Sequence, residues 1–388
     1  VSTRIRIPGA LLALTFLLAA CEGGGGTDVG NPLTVTVEGR LERGSVVTVT
    51  ATANGAAIDP ATVQLAFAPA DGAQPLGGGQ VRLLRAGTLS ITATAPQRVG
   101  SRQVTVEAPP VVVFDRMGPP GSPEGQAGNR DIWRVDLDGQ NLVRLTTNGG
   151  DDQDPTVAQR RVVFVSYRGG NANLFSIPLA GGTETQLTTT AGNETTPALS
   201  RDGERLAYSF DTGDVSKVWV ASGNASGAAR LTSGFGFGGS VETTPTWAPS
   251  GNRVIFVATA LGTADLFRVE PPTAPALAAG GSAPEVEPAW SPDGASVVFT
   301  SNRDSGGSGP TDLYLLRISD NAITRLTQTA VTEIQPAWTP DGTRIVYTEA
   351  SGGVTRIRWL DPANPGTSFP VETGTGSAQR AAVSVPLN

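Results

Sequence analysis

The chain has 388 residues, 35 of them Asp or Glu against 28 Lys or Arg, for a net charge of −7. It contains no histidine and a single cysteine, which excludes Ser-His-Asp hydrolysis, imidazole general bases and His-ligated zinc or iron. The acidic balance argues against a nucleic-acid partner, and the absence of a G-x-x-x-x-G-K-[ST] run removes P-loop phosphate binding.

The first twenty residues carry Arg4 and Arg6 ahead of an apolar run from Ala10 to Ala20. That run is too short for a permanent bilayer span, and its basic front end fits a secretory signal. Leu18-Ala19-Ala20-Cys21 resembles the bacterial lipobox. The resemblance implies lipidation of Cys21 and anchoring of the protein in the cell envelope without a transmembrane helix. It also commits the only thiol, leaving none for a nucleophile or a metal. Residues 21–31 (CEGGGGTDVGN) then read as a flexible tether.

Residues 32–109 change character. Leu33–Val37, Val46–Thr52, Val63–Phe67, Val81–Leu84, Leu89–Thr94 and Gln103–Glu107 alternate apolar with polar residues, separated by turn pairs such as Asn54-Gly55 and Asp71-Gly72. This predicts a small antiparallel sandwich. Ala86 to Thr94 (AGTLSITAT), followed by Val104-Thr105-Val106, resembles the bacterial Ig-like domain, a spacer module. With no second cysteine, no intersheet disulfide can form.

Pro109-Pro110 marks a boundary, and residues 110–388 are repetitive. EVEPAWSPDG at Glu285–Gly294 returns as EIQPAWTPDG at Glu333–Gly342, ETTPTWAPSG at Glu242–Gly251, ETTPALSRDG at Glu194–Gly203 and, worn, as DQDPTVAQ from Asp152. The anchoring residues Pro155, Pro197, Pro245, Pro288 and Pro336 recur every 42 to 48 residues. After each turn comes a β-branched run, then a strand opening on an aliphatic and an aromatic (Leu174-Phe175, Leu313-Tyr314), then a short strand such as Arg325-Leu326-Thr327. Four short strands repeated at this period predict the blades of a propeller. Arg380–Val385 aligns one period after Pro336 and is expected to supply the strand missing from the first unit, which gives six blades closed by the C-terminus and leaves no exposed edge.

The PAWSPDG core, the Ser301-Asn302-Arg303-Asp304 turn, the Asp-Leu-Tyr strand and the Arg-Leu-Thr strand together resemble the TolB-type (PD40, WD40-like) β-propeller repeat. The resemblance implies a six-bladed propeller and a periplasmic interaction platform. The family's N-terminal α/β domain is replaced here by the Ig-like module, which puts a role in the Tol system itself in question. Related propeller lyases use histidines around a metal, which this chain lacks.

Large residues two places after each Pro (Trp247, Trp290, Trp338) alternate with small ones and are expected to be core. The Asp-Gly pairs are expected to be hairpin turns. One repeated position does not follow from packing: Asp152, Glu194, Glu242, Glu285 and Glu333 stand three residues before each Pro, with Ala378 in the sixth unit. Either each caps local backbone amides, or the five form an acidic tunnel mouth that binds a cation or a basic peptide. The expected function is that of a non-catalytic, monomeric envelope lipoprotein that binds a protein or glycan and needs no cofactor or metal. The alternative is a glycosidase-type enzyme using two mouth carboxylates.

Overall fold

The computed structural model describes residues 32–386, apart from 97, 119–128, 214 and 234–238. The signal segment, Cys21 and the tether lie outside the described residues, as does most of the Gly234–Gly239 run. The chain divides into two compact units between Pro109 and Pro110. Both are all-β, and none of their helices is long and apolar enough to cross a membrane among the described residues.

The first unit pairs two antiparallel sheets. One runs in the order Thr34–Glu38, Val46–Ala53, Gln80–Leu83, Ala73–Gly77, with Ala56–Ala57 returning beside Val46–Ala53. The other is Gln64–Ala68, Gly87–Ala95, Arg98–Val106. Period-2 alternation sends Val35, Val47, Val49, Val81 and Leu83 from the first and Leu89, Ile91, Ala93, Val104 and Val106 from the second into one core. Asn54 (φ 50°) and Gly55 (φ 79°) both adopt the left-handed conformation that the two-residue hairpin requires. The strand Ala73–Gly77 escapes the sequence pattern because Pro75 and Gly77 interrupt it; it is an edge strand, where a missing N–H is tolerated.

Among its described residues the second unit contains six four-stranded antiparallel sheets. Sheets II to VI each use four consecutive strands, beginning at Asp152–Ala158, Asn193–Leu199, Glu242–Trp247, Glu285–Trp290 and Thr332–Trp338. Sheet I is composite: Val143–Arg144, Arg130–Asp136 and Val111–Met117 are completed by the C-terminal strand Ser377–Ser384. That strand starts three residues earlier than the sequence alignment suggests, and its register runs from Ser377 opposite Met117 to Ser384 opposite Val111. The first strands of II to VI and the C-terminal strand of I touch one another in succession, with VI touching I and I touching II; these are the inner strands.

The second strand of each sheet is apolar on both faces, as in Val162-Val163-Phe164-Val165. Such a run suits a strand covered on both sides. Val162 and Phe164 enter a cluster with sheet I, while Val163 and Val165 enter one with sheet III. Six separate clusters result, one between each pair of adjacent sheets. Each fully buried Phe or Leu in them contributes about 2–3 kcal/mol. The large-against-small prediction appears directly: Trp247 packs with Ala198 and donates its Nε1–H to that residue's carbonyl at 3.2 Å, and Trp338 does the same to Ala289 at 3.2 Å.

The Asp-Gly turns are held by a hydroxyl two residues before each Asp. Ser200, Ser291 and Thr339 donate to Asp202, Asp293 and Asp341 at 2.5, 2.6 and 2.5 Å. Each Asp in turn accepts the amide two residues on, at 3.0 to 3.1 Å. These bonds hold Asp202 and Asp293 below their ordinary pKa.

Candidate functional site

Every inner strand carries a bulge, at its Pro in sheets II to VI and at the equivalent Ala381 in sheet I. The register breaks between the residue two before it and the residue one after it, in all six sheets. The residue immediately before the Pro, or before Ala381 in sheet I, takes positive φ: Asp154 52°, Thr196 47°, Thr244 44°, Glu287 54°, Gln335 56° and Arg380 55°. A non-glycine residue there costs about 1 kcal/mol or more. The bulge breaks the strict alternation, so the polar residues on its two sides meet different surroundings.

The residues three before the Pro turn into the crevices between sheets. Asp152, Glu194, Glu242, Glu285 and Glu333 are all 0–1% exposed, so they do not stand open at a mouth. Four are held by the link that arrives from the preceding sheet. Glu333 accepts from the hydroxyls of Thr327 and Thr329, six and four residues upstream. Glu194 accepts likewise from Thr188 (3.0 Å) and Thr190. Asp152 takes Asn148 and Arg168, and Glu242 takes Thr232 (2.7 Å), Lys217 (3.2 Å) and the Val218 amide (3.3 Å). The same threonines accept a strand amide, Leu174 N–H on Thr188 and Leu313 N–H on Thr327. A hydroxyl therefore relays between the third strand of one sheet and the inner strand of the next. Burial pushes the carboxyls of Asp152 and Glu194 up, and that of Glu333 to about 7.

Glu285 is the exception. Its two upstream counterparts are Ala279 and Gly281, so no hydroxyl, amide or guanidinium donor reaches either carboxylate oxygen, and its hydrogen-bonding neighbour is the Asp265 carboxyl, which it can bond only while one of the two is protonated. Arg303 lies 3.9 Å away, and burial with Asp265 nearby pushes the Glu285 carboxyl up to about 7.

The residues next to the Pro form a different set. All six are half-buried, and several reach around from one inner strand to the next. Asp154 accepts the Thr196 amide, Glu287 the Gln335 amide (2.7 Å) and Gln335 the Arg380 amide (3.1 Å). Arg380 then pairs with Asp154 at 2.5 Å. The side chains of Arg380 and Asp154 are 30% and 15% exposed, which makes them reachable where the deeper carboxylates are not. Burial raises the pKa of both Asp154 and Glu287, opposed by Arg380. Behind Arg380 lies the fully buried Asp115, paired with Arg130 at 2.7 Å and pushed up to about 7 by burial. The repeat motif leaves this set unmarked, although a polar residue precedes each of the five Pro and Ala381: Asp, Thr, Thr, Glu, Gln, Arg.

These four-stranded sheets with shared interfaces define a β-propeller. The chain belongs to the TolB β-propeller family: the family model of the TolB beta propeller domain (PD40) matches residues 123–275 and 278–384. Among solved structures, TolB from Acinetobacter baumannii aligns with a TM-score of 0.62 at 13% identity, covering 77% of this chain and 80% of that one. A putative TolB from Agrobacterium tumefaciens aligns at 0.53 and 15% identity, over 68% and 87% of the two chains. A chain of a nidogen/laminin complex aligns at 0.55 and 11%, over 71% and 98%. At these identities the likeness is one of fold. Comparison with curated proteins finds no match.

Chemically, the six positions offer two carboxyls, one guanidinium and three neutral polar side chains, among which the Thr196 hydroxyl is bonded to Ser209 at 2.7 Å and the Thr244 hydroxyl is buried without a partner. Among the described residues, no group of three or more Asp, Glu or Cys is placed to hold a metal ion.

Proposed function

We propose that this chain is a non-catalytic cell-envelope lipoprotein whose propeller binds another envelope protein or a glycan at its axis. On this reading Cys21 carries the lipid, residues 32–109 form an Ig-like stalk, and residues 110–388 form a six-bladed ring closed by Ser377–Ser384. The observation that carries the binding site is the contrast within the inner strands. Three residues before the Pro the repeat keeps one chemistry, while one residue before it the repeat keeps a costly backbone conformation and varies the side chain in nearly every sheet. A purely structural position has no reason to differ so much between equivalent sheets, whereas a surface that addresses one asymmetric partner does. Family membership supports the same reading.

The test is site-specific photo-cross-linking in intact cells, with the reactive residue placed at Thr196 or Thr244 and, as control, at exposed Asp320 in a turn of sheet V. A partner captured from both ring positions and not from the control supports the axial site. Equal capture from all three overturns it.

A further inference from the structure

The five equivalent carboxylates allow the molecule to serve as its own control. At sheet VI the link Thr327–Thr329 lays two hydroxyls on Glu333. At sheet V the link offers Ala279 and Gly281 in the same places, and Glu285 keeps its full burial without them. The groups facing Glu285 are few. Asp265, on the third strand of sheet IV, is itself 1% exposed and already accepts from Thr263 (3.0 Å) and the Gly281 amide (3.3 Å). Arg303, in the turn of sheet V, stands 3.9 Å off, beyond hydrogen-bond range. The link brings no charge. Its cover is thin: Gly281 is exposed, and a Cβ added there lies 3.7 Å from Glu285 Oε1 and 3.9 Å from Arg303 Nη2.

We propose that the link between sheets IV and V is a proton-operated latch, closed over Glu285 when that carboxyl is neutral and opened at Gly280–Ala283 when it ionises. A neutral carboxyl tolerates this dry crevice. A carboxylate facing Asp265, with no donor in bonding range, does not. Opening lets water reach Glu285 and frees Arg303 to approach it. The sign follows from the raised folded-state pKa of about 7, against the ordinary 4.5 of a glutamate. The folded crevice holds its proton more tightly than the unfolded chain does, so closure is firmest below about pH 4.5 and weakens as pH rises toward about 7. The Glu333 carboxyl at sheet VI is also raised to about 7, but it keeps hydroxyl donors when it ionises, so that crevice weakens without opening over the same range.

Hydrogen exchange of the full chain at pH 5.5 and 8.5, corrected for intrinsic exchange, reads this directly. The amides of Gly281 and Glu285, which bond Asp265 and the Ala264 carbonyl, are expected to lose tenfold or more of their protection at the higher pH. The Glu333 amide, bonded to the Thr311 carbonyl, is expected to hold. Glu285→Gln should remain protected at both pH values. Gly281→Thr supplies the hydroxyl that Thr329 supplies to Glu333, and should abolish the pH-dependent loss with the carboxyl still present. Protection that does not change with pH in the unmodified chain, or that still falls with pH in the Gly281→Thr protein, overturns the proposal. Should Glu285→Gln fail to fold, those two measurements decide it.

Discussion

The same inner strand carries two polar positions two residues apart, and they behave in opposite ways. Three before the Pro, acidic residues in five sheets are sealed in crevices, and three of them accept a threonine hydroxyl from the preceding link. One before the Pro, five different residue types occupy six sheets, half-exposed and strained. On the proposed reading the difference separates what builds the propeller from what it presents: uniform chemistry at a buried place marks a joint, and varied chemistry at a fixed backbone geometry marks an address.

The largest effect that sharpens this contrast is expected at Glu333. Replacing it with Ala leaves the Thr327 hydroxyl without its acceptor, while Thr329 keeps the Val331 carbonyl, and opens a space in the crevice, a loss of about 3 kcal/mol. All six tryptophans lie between residues 133 and 359, so tryptophan fluorescence during urea unfolding follows the propeller unit alone. A change below about 1 kcal/mol would dissolve the claim that these carboxylates are joints. Thr327→Val is expected to cost less, about 1–2 kcal/mol, because it removes one relay hydroxyl and leaves the shape.

Much of this was legible in the sequence, and the misses have physical causes. Prolines, Asp-Gly turns and β-branched runs mark each blade because each serves a backbone need that only a few residue types satisfy. The relay hydroxyls were in plain view as Thr188, Thr190, Thr327 and Thr329, but Arg-Leu-Thr reads as strand, and its bond to a carboxylate six residues later crosses from one sheet to the next. That crossing also explains why the carboxylates looked like a mouth: period-2 alternation places them on a face, and only the crevice geometry shows the face to be covered. The bulge was illegible, since no single residue signals it; the polar residue before Pro acquires meaning only from six matching φ values. In the first unit nothing repeats, so Pro75 had no counterpart to show that its strand survives at an edge.

A middle-sized test concerns the turns. Asp293→Ala should cost about 0.5–1 kcal/mol at neutral pH, from the lost bonds to Ser291 and the Ala295 amide. Because the folded state lowers the Asp293 pKa, this contribution is present above the unfolded value of about 3.9 and disappears as pH falls through the folded one. The stability difference between the parent and Asp293→Ala should therefore close in acid. Glu333, with its pKa raised to about 7, has the opposite sign: its titration reduces stability as pH rises from about 4.5 to about 7.

The smallest stability effect, and the sharpest test of the address, is expected at Thr244. Its φ of 44° is one that glycine adopts freely, so Thr244→Gly relieves about 1 kcal/mol of strain while giving back a similar amount in chain entropy and lost side-chain contact. Unfolding should move by no more than about 0.5 kcal/mol. Cross-linking from Thr196 in the same variant should nonetheless fall, because a neighbouring contact of the partner has been erased. A Thr244→Gly protein that is markedly destabilised yet captures its partner normally would reverse the assignment, making this position a joint like the one two residues upstream.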